Sequence, residues 1–588
     1  MEKQKGNIFD LRLFSKLMVY VKPYKKFYYF VMLAAILVSG FSALTPYLLK
    51  VAVDDYIRIK DYNGMVFIIS MMLITLMAEV VFQFLFVYFA NWLGQNVIRD
   101  LRVFLYQKII SFKMAYFDKS AVGRLVTRAV NDIETIASIF SQGLFMIIAD
   151  LLKMAVVTLI MLFINWKLSL IVFSILPLIV YATRLFQKSM KTAFEEVRLQ
   201  VANLNSFIQE RLTGMQIVQL FHREKIEYQN FIAINEKHKK AWLKTVWYNS
   251  IFFPVAEIAS SITLGLLVWF GGLNVAVGGT ISLGTIFLFI QMSQMLFRPL
   301  RHIADKFNTL QMGMVAAERI FKITATDSKI YDSGTENPKN IQGKISIKNL
   351  RFSYLKGEEV INGINLEIQP GEKIAIVGAT GAGKSTLINL LSRFYEYDAG
   401  EICLDDKPIR DFTLKSLRSH VGIVLQDVFL FADTIYNNIT LNNPEVSEEL
   451  VYNVAREIGV HEFIESLPGG YQYNVKERGV MLSSGQRQLI AFLRVYISNP
   501  SVLVLDEATS SIDSHSEELI KNATNKITKN KTSIIIAHRL STIKNADRIV
   551  VMDGGKIVEI GSHKELLAIK EGFYTQLYKI QFLETAVA

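Results

Sequence analysis

The sequence predicts a chain in two parts, an all-α membrane domain of about six helices with long cytoplasmic helical extensions, fused to a soluble α/β domain. Three observations predict it. The 588 residues are 51% hydrophobic yet 20% charged, with a mean hydropathy of +0.29, too apolar for an ordinary soluble protein and too charged for one lying wholly in a membrane. Long apolar runs fill the first half, whereas in the second half short β-branched runs alternate with amphipathic ones. Between them "DSGTENPKNIQGK" (332–344) is a turn-rich stretch. The expected boundaries are an N-terminal interfacial region over 1–26, a membrane domain over 27–322, a linker over 323–344 and an α/β domain over 345–588.

Met1 to Lys26 is polar, basic and aromatic with no cleavable apolar core, so it does not read as a signal peptide; Ile8 to Val21 reads as an amphipathic interfacial helix. Spans are expected near 27–50, 65–92, 136–163, 167–184, 248–272 and 281–298, each close to or beyond the roughly 20 residues that cross hydrocarbon. Orientation follows from the loops. The second and third spans are joined through Arg99, Arg102, Lys108, Lys113, Lys119, Arg124 and Arg128, and the fourth and fifth through a longer stretch rich in Lys and Arg. The opposite connections are "NWK" (165–167) and the uncharged "GGLNVAVGGT" (271–280). The excess of Lys and Arg puts the long connections and both termini in the cytoplasm. This also accounts for the net charge of +11 without nucleic acid. Segments 93–135 and 185–247 lack Pro and read as helices running on beyond the bilayer, broken at "FKMAYFDKSAVGR" and "ERLTGMQ". A lone cysteine, Cys403, excludes a disulfide framework or a zinc cluster within the chain and reads as a small buried apolar residue.

From Ile345 onward the strands are "KISIKNLRFSY", "EKIAIVGA", "SVLVLDEA", "TSIIIAHR" and "DRIVVMDGGKIVEIG". The chemistry sits at their ends. "GATGAGKS" fills every fixed position of G-x-x-x-x-G-K-[ST] after an apolar strand and before the helical "TLINLLSRF". Gly378, Ala379, Thr380, Gly381, Ala382 and Gly383 would curl backbone N–H groups around phosphates, with Thr386 at the helix start. Lys384 would neutralise β/γ-phosphate charge, and the Ser385 hydroxyl would ligate Mg²⁺. "VLVLDE" (502–507) ends an apolar strand in two carboxylates. Asp506 fits the Mg²⁺-holding role through water, and Glu507 would polarise the attacking water, the alternative being a plain pairing with a cation. Tyr354 ends a strand where its ring could stack on adenine, or serve only as core or turn. Gln426, in "VGIVLQDVFLF", offers an amide to both Mg²⁺ and water. His538, in "IIIAHRLS", could hold the γ-phosphate or be structural, and Asp513, in "SSID", could couple two sites across a dimer.

These residues together resemble the nucleotide-binding domain of an ABC transporter, and the whole chain resembles the exporter-type half-transporters, six transmembrane helices fused to one ABC ATPase domain. The resemblance makes Tyr354 the A-loop aromatic, Gly378 to Ser385 the Walker A motif, Gln426 the Q-loop, and Leu482 to Gln486 the signature. It makes Asp506 and Glu507 the Walker B end, Ser511 to Asp513 the D-loop, and His538 the switch histidine. "FDKSAVGRLVTRAVNDI" (117–133) and "GGTISLGTIFLFIQMSQMLFRPL" (278–300) resemble the family's first coupling loop and sixth helix. The resemblance implies ATP and Mg²⁺ as cofactors and a dimer with ATP held between one chain's Walker A and the other's signature. It further implies alternating access driven through the stalk turns near 112–122 and 210–216, and a cell-membrane location, a bacterial inner membrane being expected.

Two positions depart from the family pattern. The signature LSGGQ reads here Leu482-Ser483-Ser484-Gly485-Gln486, and the upstream "VGERG" reads "VKERG", with Lys476 in place of glycine. A small residue at 484 lets backbone N–H groups approach phosphate at a helix N-terminus, so serine is expected to weaken and not to abolish that contact. Because the signature acts on the partner's ATP while Glu507 and His538 act on this chain's own, unequal sites are expected, and a heterodimer with a second half-transporter is favoured over a homodimer.

Away from the ends of the spans, the charged residues are Glu79, Asp150, Lys153 and Glu257. Asp150 and Lys153 stand at i,i+3 and are placed to neutralise each other. Two readings of Glu257 stay open: it faces a cavity and draws cationic amphipathic cargo, or it pairs with Lys153. The expected activity is ATP-driven export of hydrophobic or amphipathic compounds, multidrug-like. A homodimeric lipid or lipopeptide flippase is the alternative, and an ATP-gated regulatory membrane protein a weaker one that an intact Glu507 argues against.

Overall fold

The structure, a computed structural model, describes residues 11–355, 357–506, 514–537 and 540–579. It divides into two units: Met1–Ser111 with Ser120–Asp327, and Phe112–Lys119 with Ser328–Ala588.

The first unit is helical. Among the described residues five helical runs are long and apolar enough to cross a membrane: Lys22–Ile57, Tyr62–Ile110, Val122–Ile164, Trp166–Thr213 and Glu224–Ala276. The sixth expected span, 281–298, falls in the helix Leu283–Thr324, which is outside those five; Gln291, Gln294 and Arg298 dilute its apolar run. A helix of 53 residues, Glu224–Ala276, is about 80 Å long, against about 30 Å of hydrocarbon. The surplus forms the stalks. Along them Lys244 pairs with Glu196 at 2.9 Å and Arg211 with Glu227 at 2.7 Å, joining Glu224–Ala276 to Trp166–Thr213. The helix Leu11–Val19 falls within the expected interfacial helix; residues 1–10 lie outside the described part.

Breaks occur where the sequence places them. Gly214 separates Trp166–Thr213 from Met215–Leu220, and Ser111 ends Tyr62–Ile110 before the short helix Met114–Lys119. Asn165 alone turns the chain between the third and fourth runs, its side chain capping the next helix by accepting from Leu168 N–H at 3.1 Å. At the far end of the first run Asp54 accepts from the Ser282 hydroxyl and from Gly284 N–H at 2.8 Å.

One sequence expectation fails here. Asp150 takes its ion pair from Lys306 on Leu283–Thr324 and not from Lys153. Lys153 instead lies in the combined field of Glu79, Asp150 and Arg298. A carboxylate and an ammonium each about one quarter exposed are screened less than an exposed pair at i,i+3 would be. Glu257 is exposed on Glu224–Ala276.

The second unit carries two sheets. β1 (Ile345–Leu355), β2 (Glu358–Ile368), β4 (Ala399–Leu404) and β5 (Lys407–Pro408) form an antiparallel sheet of order β2-β1-β4-β5. β3 (Lys373–Gly378), β6 (Val421–Val424), β7 (Val502–Asp506), β8 (Thr532–Ile536) and β9 (Arg548–Asp553) run parallel, with β10 (Lys556–Gly561) antiparallel at the edge, in the order β10-β9-β3-β8-β7-β6. Alternate residues of each parallel strand enter different cores. Ala375, Val377, Leu503, Leu505, Ile535 and Val551 pack in one, Ile374, Ile376, Val502, Val504, Ile534 and Val550 in the other. With a period of two these are the two faces of the sheet. Such strands, buried on both faces, read as the continuous apolar runs that made them visible. Cys403 is buried in β4 at 6% exposure. The turn-rich 332–344 runs along this unit, where the Asp405 carboxylate accepts from the N–H groups of Gln342, Gly343 and Lys344.

Candidate nucleotide site

β3 is central, flanked by β9 and β8, and the loop that leaves it turns directly into the helix Lys384–Leu391. Backbone geometry requires its glycines. Gly381 and Gly383 sit at φ +86° and +99°, in the left-handed region. A Cβ on Gly378 would lie 2.2 Å from the Met552 carbonyl, and one on Gly383 would lie 2.9 Å from Ile361 Cδ1. The loop is thus a concave backbone cradle that side chains would fill. Ala379, Thr380, Gly381 and Ser385 are exposed along it, while Ala382 and Thr386 are buried.

Lys384 is only 9% exposed. Its amine donates to the carbonyls of Gly378 at 2.7 Å and Ala379 at 2.9 Å. Burial pulls it below the usual lysine range, and the charge of Asp506 acts against that shift. Asp506 closes β7 at 8% exposure, in register with Ile536 of β8. The structure therefore places Lys384 within the electrostatic reach of Asp506, at the C-terminal ends of the parallel strands β3 and β7 with β8 between them, where α/β sheets bind ligands. Gln426 is exposed just past β6, the strand beyond β7. Glu507, Asp513 and His538 lie outside the described residues.

Tyr354, in β1, is 38% exposed. Its hydroxyl donates to the Thr386 hydroxyl at 3.2 Å, which joins the ring to the phosphate-loop helix. It stands edge-on to Phe352 at 4.8 Å and Tyr395 at 5.0 Å. Tyr395 carried no sequence signal.

The signature segment is built around a helix start. Ser483 is the N-cap of Ser484–Ile497, accepting from Gln486 N–H at 3.2 Å, and the Gln486 amide oxygen accepts from Ser483 N–H at 2.9 Å. That reciprocal cap occupies the Gln486 amide oxygen and backbone N–H, and the S-x-x-Q spacing was its signal. Ser484 is exposed at the first helical position and Gly485 is buried. This helix contributes Leu489, Ile490, Phe492 and Leu493 to one core, whereas the phosphate-loop helix contributes Leu387, Ile388, Leu390 and Leu391 to the other. Signature and phosphate loop therefore lie on opposite faces of the six-stranded sheet.

Lys476, the departure from glycine, sits at φ 59°, ψ −173°, backbone territory almost reserved for glycine. Its N–H is held by the Asn474 side chain at 2.9 Å. Lys476→Gly is expected to raise stability by about 1 kcal/mol, the relieved strain exceeding the added chain entropy. A thermal-unfolding midpoint that falls in the variant would contradict it.

Comparison with known proteins bears directly on this arrangement. Residues 28–300 match the family model described as ABC transporter transmembrane region, and residues 361–510 the one described as ABC transporter. The chain is an exporter-type ABC half-transporter. It is similar to an uncharacterized ABC transporter ATP-binding protein of Bacillus subtilis, 35% identical over 96% of this chain and 94% of that one. It is 34% identical to the ATP-dependent lipid A-core flippase of Syntrophus aciditrophicus, over 98% and 95% of the two chains. It is also 35% identical, over 97% and 100%, to a Staphylococcus aureus ATP-binding/permease protein provisionally named for multidrug export. This half-transporter is a multi-pass membrane protein and binds ATP, and its enzymatic activity is that of an ATPase coupled to transport.

Proposed function

We propose that the chain is one half of an ATP-driven exporter that moves hydrophobic or amphipathic compounds out of the cytoplasm or inner leaflet by alternating access, paired with a second, non-identical half-transporter. The observation that supports the dimer is the placement of signature and phosphate loop on opposite faces of one sheet: a phosphate cradled by Gly378–Ser385 meets a signature segment only if a second chain supplies it. Both long connections and the termini face the cytoplasm in this reading, as the Lys and Arg excess directs.

Within the site, Lys384 holds phosphate charge in a partly buried setting where an ion pair gains strength, and Tyr354 stacks the base. Ser385, Gln426 and Asp506 would hold Mg²⁺, which supplies neutralisation of the phosphate oxygens. Glu507 takes the proton of the attacking water, His538 holds the terminal phosphate, and Asp513 links the two sites of the dimer. Gln486 fixes the helix start through its amide oxygen and backbone N–H, which leaves its amide NH2 to donate, so the residues offered to the partner's nucleotide are Ser483, Ser484, Gly485 and Gln486. Ser484 adds a Cβ and a hydroxyl where the family has only glycine, and this supports unequal sites.

The names of two relatives, a lipid A-core flippase and a protein provisionally assigned to multidrug export, both describe amphipathic or apolar cargo. An apolar cavity of about 160 Å³ between Trp166–Thr213 and Glu224–Ala276, lined by Leu178, Phe252, Val255 and Ile262 among others, is smaller than the roughly 300–1,000 Å³ that encloses a drug-sized ligand and would take only an acyl or ring portion of such a cargo. Two differently tagged copies of the chain, expressed together, test the pairing. Poor co-purification and weak ATPase activity are expected when the chain is produced alone. Stoichiometric co-purification with full, cargo-stimulated activity would overturn the heterodimer and favour a homodimeric flippase.

A further inference from the structure

Phe112–Lys119 is separated by more than two hundred residues from the nucleotide-binding domain yet belongs to the same structural unit. Two anchors hold it. At its start Lys113 N–H donates to the Ser328 carbonyl at 2.7 Å, and Phe112 bridges Lys329 in antiparallel fashion. At its end the Asp118 carboxylate accepts the Tyr395 hydroxyl. Tyr395 is half-buried and meets the Tyr354 ring at 5.0 Å and 88°, and the Phe352 ring at 5.6 Å and 68°.

This places a single phenol between the ring assigned to the adenine base and the exposed carboxylate of Asp118. Edge-to-face aromatic contacts are directional, so a base that stacks on Tyr354 and fixes its plane also fixes the plane of Tyr395. The Tyr395 hydroxyl is the polar end of that contact, and a charge-assisted bond to Asp118 is the kind that holds geometry. The phosphates bind elsewhere, on the cradle after β3. The segment Met114–Lys119 is thereby wired first to the base side of the nucleotide, and it reaches the phosphate-loop helix through Tyr354, whose hydroxyl is bonded to Thr386 and Asn389.

We propose that Tyr395 is a positioning residue that reports occupancy of the adenine site to Met114–Lys119, through the Tyr354 ring on one side and the Asp118 carboxylate on the other. The proposal rests on the reading of Tyr354 given above.

Hydrogen exchange of the full chain in nanodiscs, without divalent cation so that nucleotide is bound and not turned over, tests it. ATP is expected to slow exchange of the 114–119 amides by about tenfold. Saturating tripolyphosphate, verified by displacement of ATP, occupies the phosphate cradle without a base and should leave those amides unchanged. Tyr395→Phe keeps the ring and removes only the hydroxyl; it should abolish the slowing while ATP affinity stays within about twofold. Asp118→Leu should do the same, and the double variant should lose no more than either single one, as for two partners of one contact. Slowing that persists in Tyr395→Phe, an equal response to tripolyphosphate, or additive losses in the double variant would overturn the proposal. Failure of the unaltered chain to bind ATP would instead sink the nucleotide reading itself.

Discussion

Glu507→Gln is expected to lower ATP turnover by about 10²–10⁴-fold while ATP still binds. The amide keeps the size of the carboxylate and loses its ability to accept a proton from water. Glu507 directly follows Asp506, which ends a strand buried at all five positions and paired on both sides, with β6 and β8. Phosphate release by the reconstituted protein at saturating ATP and Mg²⁺ measures the effect, and undiminished release would remove Glu507 from the role. Ser484→Gly, by contrast, should leave turnover intact or raise it, because the change restores a small residue at the site offered to the partner's nucleotide.

The second large effect is expected at Lys384. Lys384→Ala should weaken ATP binding by about 10–100-fold, the range that loss of one or two hydrogen bonds to a charged group corresponds to. The amine is 9% exposed and bonded to two loop carbonyls. Its removal therefore costs twice. The phosphates lose a cation held out of water, and the Gly378 and Ala379 carbonyls lose the donor that shapes the cradle. Equilibrium binding of a fluorescent ATP analogue to the purified chain reads the change. Arg at this position is not a conservative replacement, since a planar fork does not fit where a single ammonium sits between two carbonyls. Affinity unchanged in Lys384→Ala would mean that the loop does not carry the phosphates.

Much of this architecture was legible because it rests on local patterns. Unbroken apolar runs announce helices in lipid, and β-branched runs announce strands buried on both faces. The phosphate loop announces itself because its glycines are fixed by backbone geometry: two sit at positive φ and one has a carbonyl 2.2 Å from where a Cβ would be. The sixth helix was harder to delimit, since Gln291, Gln294 and Arg298 interrupt its apolar run. What stayed hidden depends on residues distant in sequence. Asp150 and Lys306 are 156 positions apart, Asp118 and Tyr395 are 277 apart, and no local pattern links either pair. Gln486 is a different case. Its S-x-x-Q spacing with Ser483 marks a helix cap as well as a family motif, and the structure shows the cap.

Lys476 shows how the two kinds of information combine. The sequence marks it as a departure from glycine, and its φ of 59° and ψ of −173° show the strain that a side chain bears there. This strain lies beside Ser484, in the segment proposed to face a partner's nucleotide, whereas the cradle of Gly378–Ser385 fills every fixed position of its motif.

The central claim is that ATP hydrolysis in this chain drives amphipathic compounds outward across the membrane. Inside-out membrane vesicles from cells producing the assembled transporter test it most directly, with a cationic fluorescent dye and a headgroup-labelled phospholipid as probes. ATP-dependent accumulation or flipping of at least one probe, lost in Glu507→Gln, is the predicted result. Movement of neither probe, or movement equal in Glu507→Gln and in the unaltered chain, would contradict it.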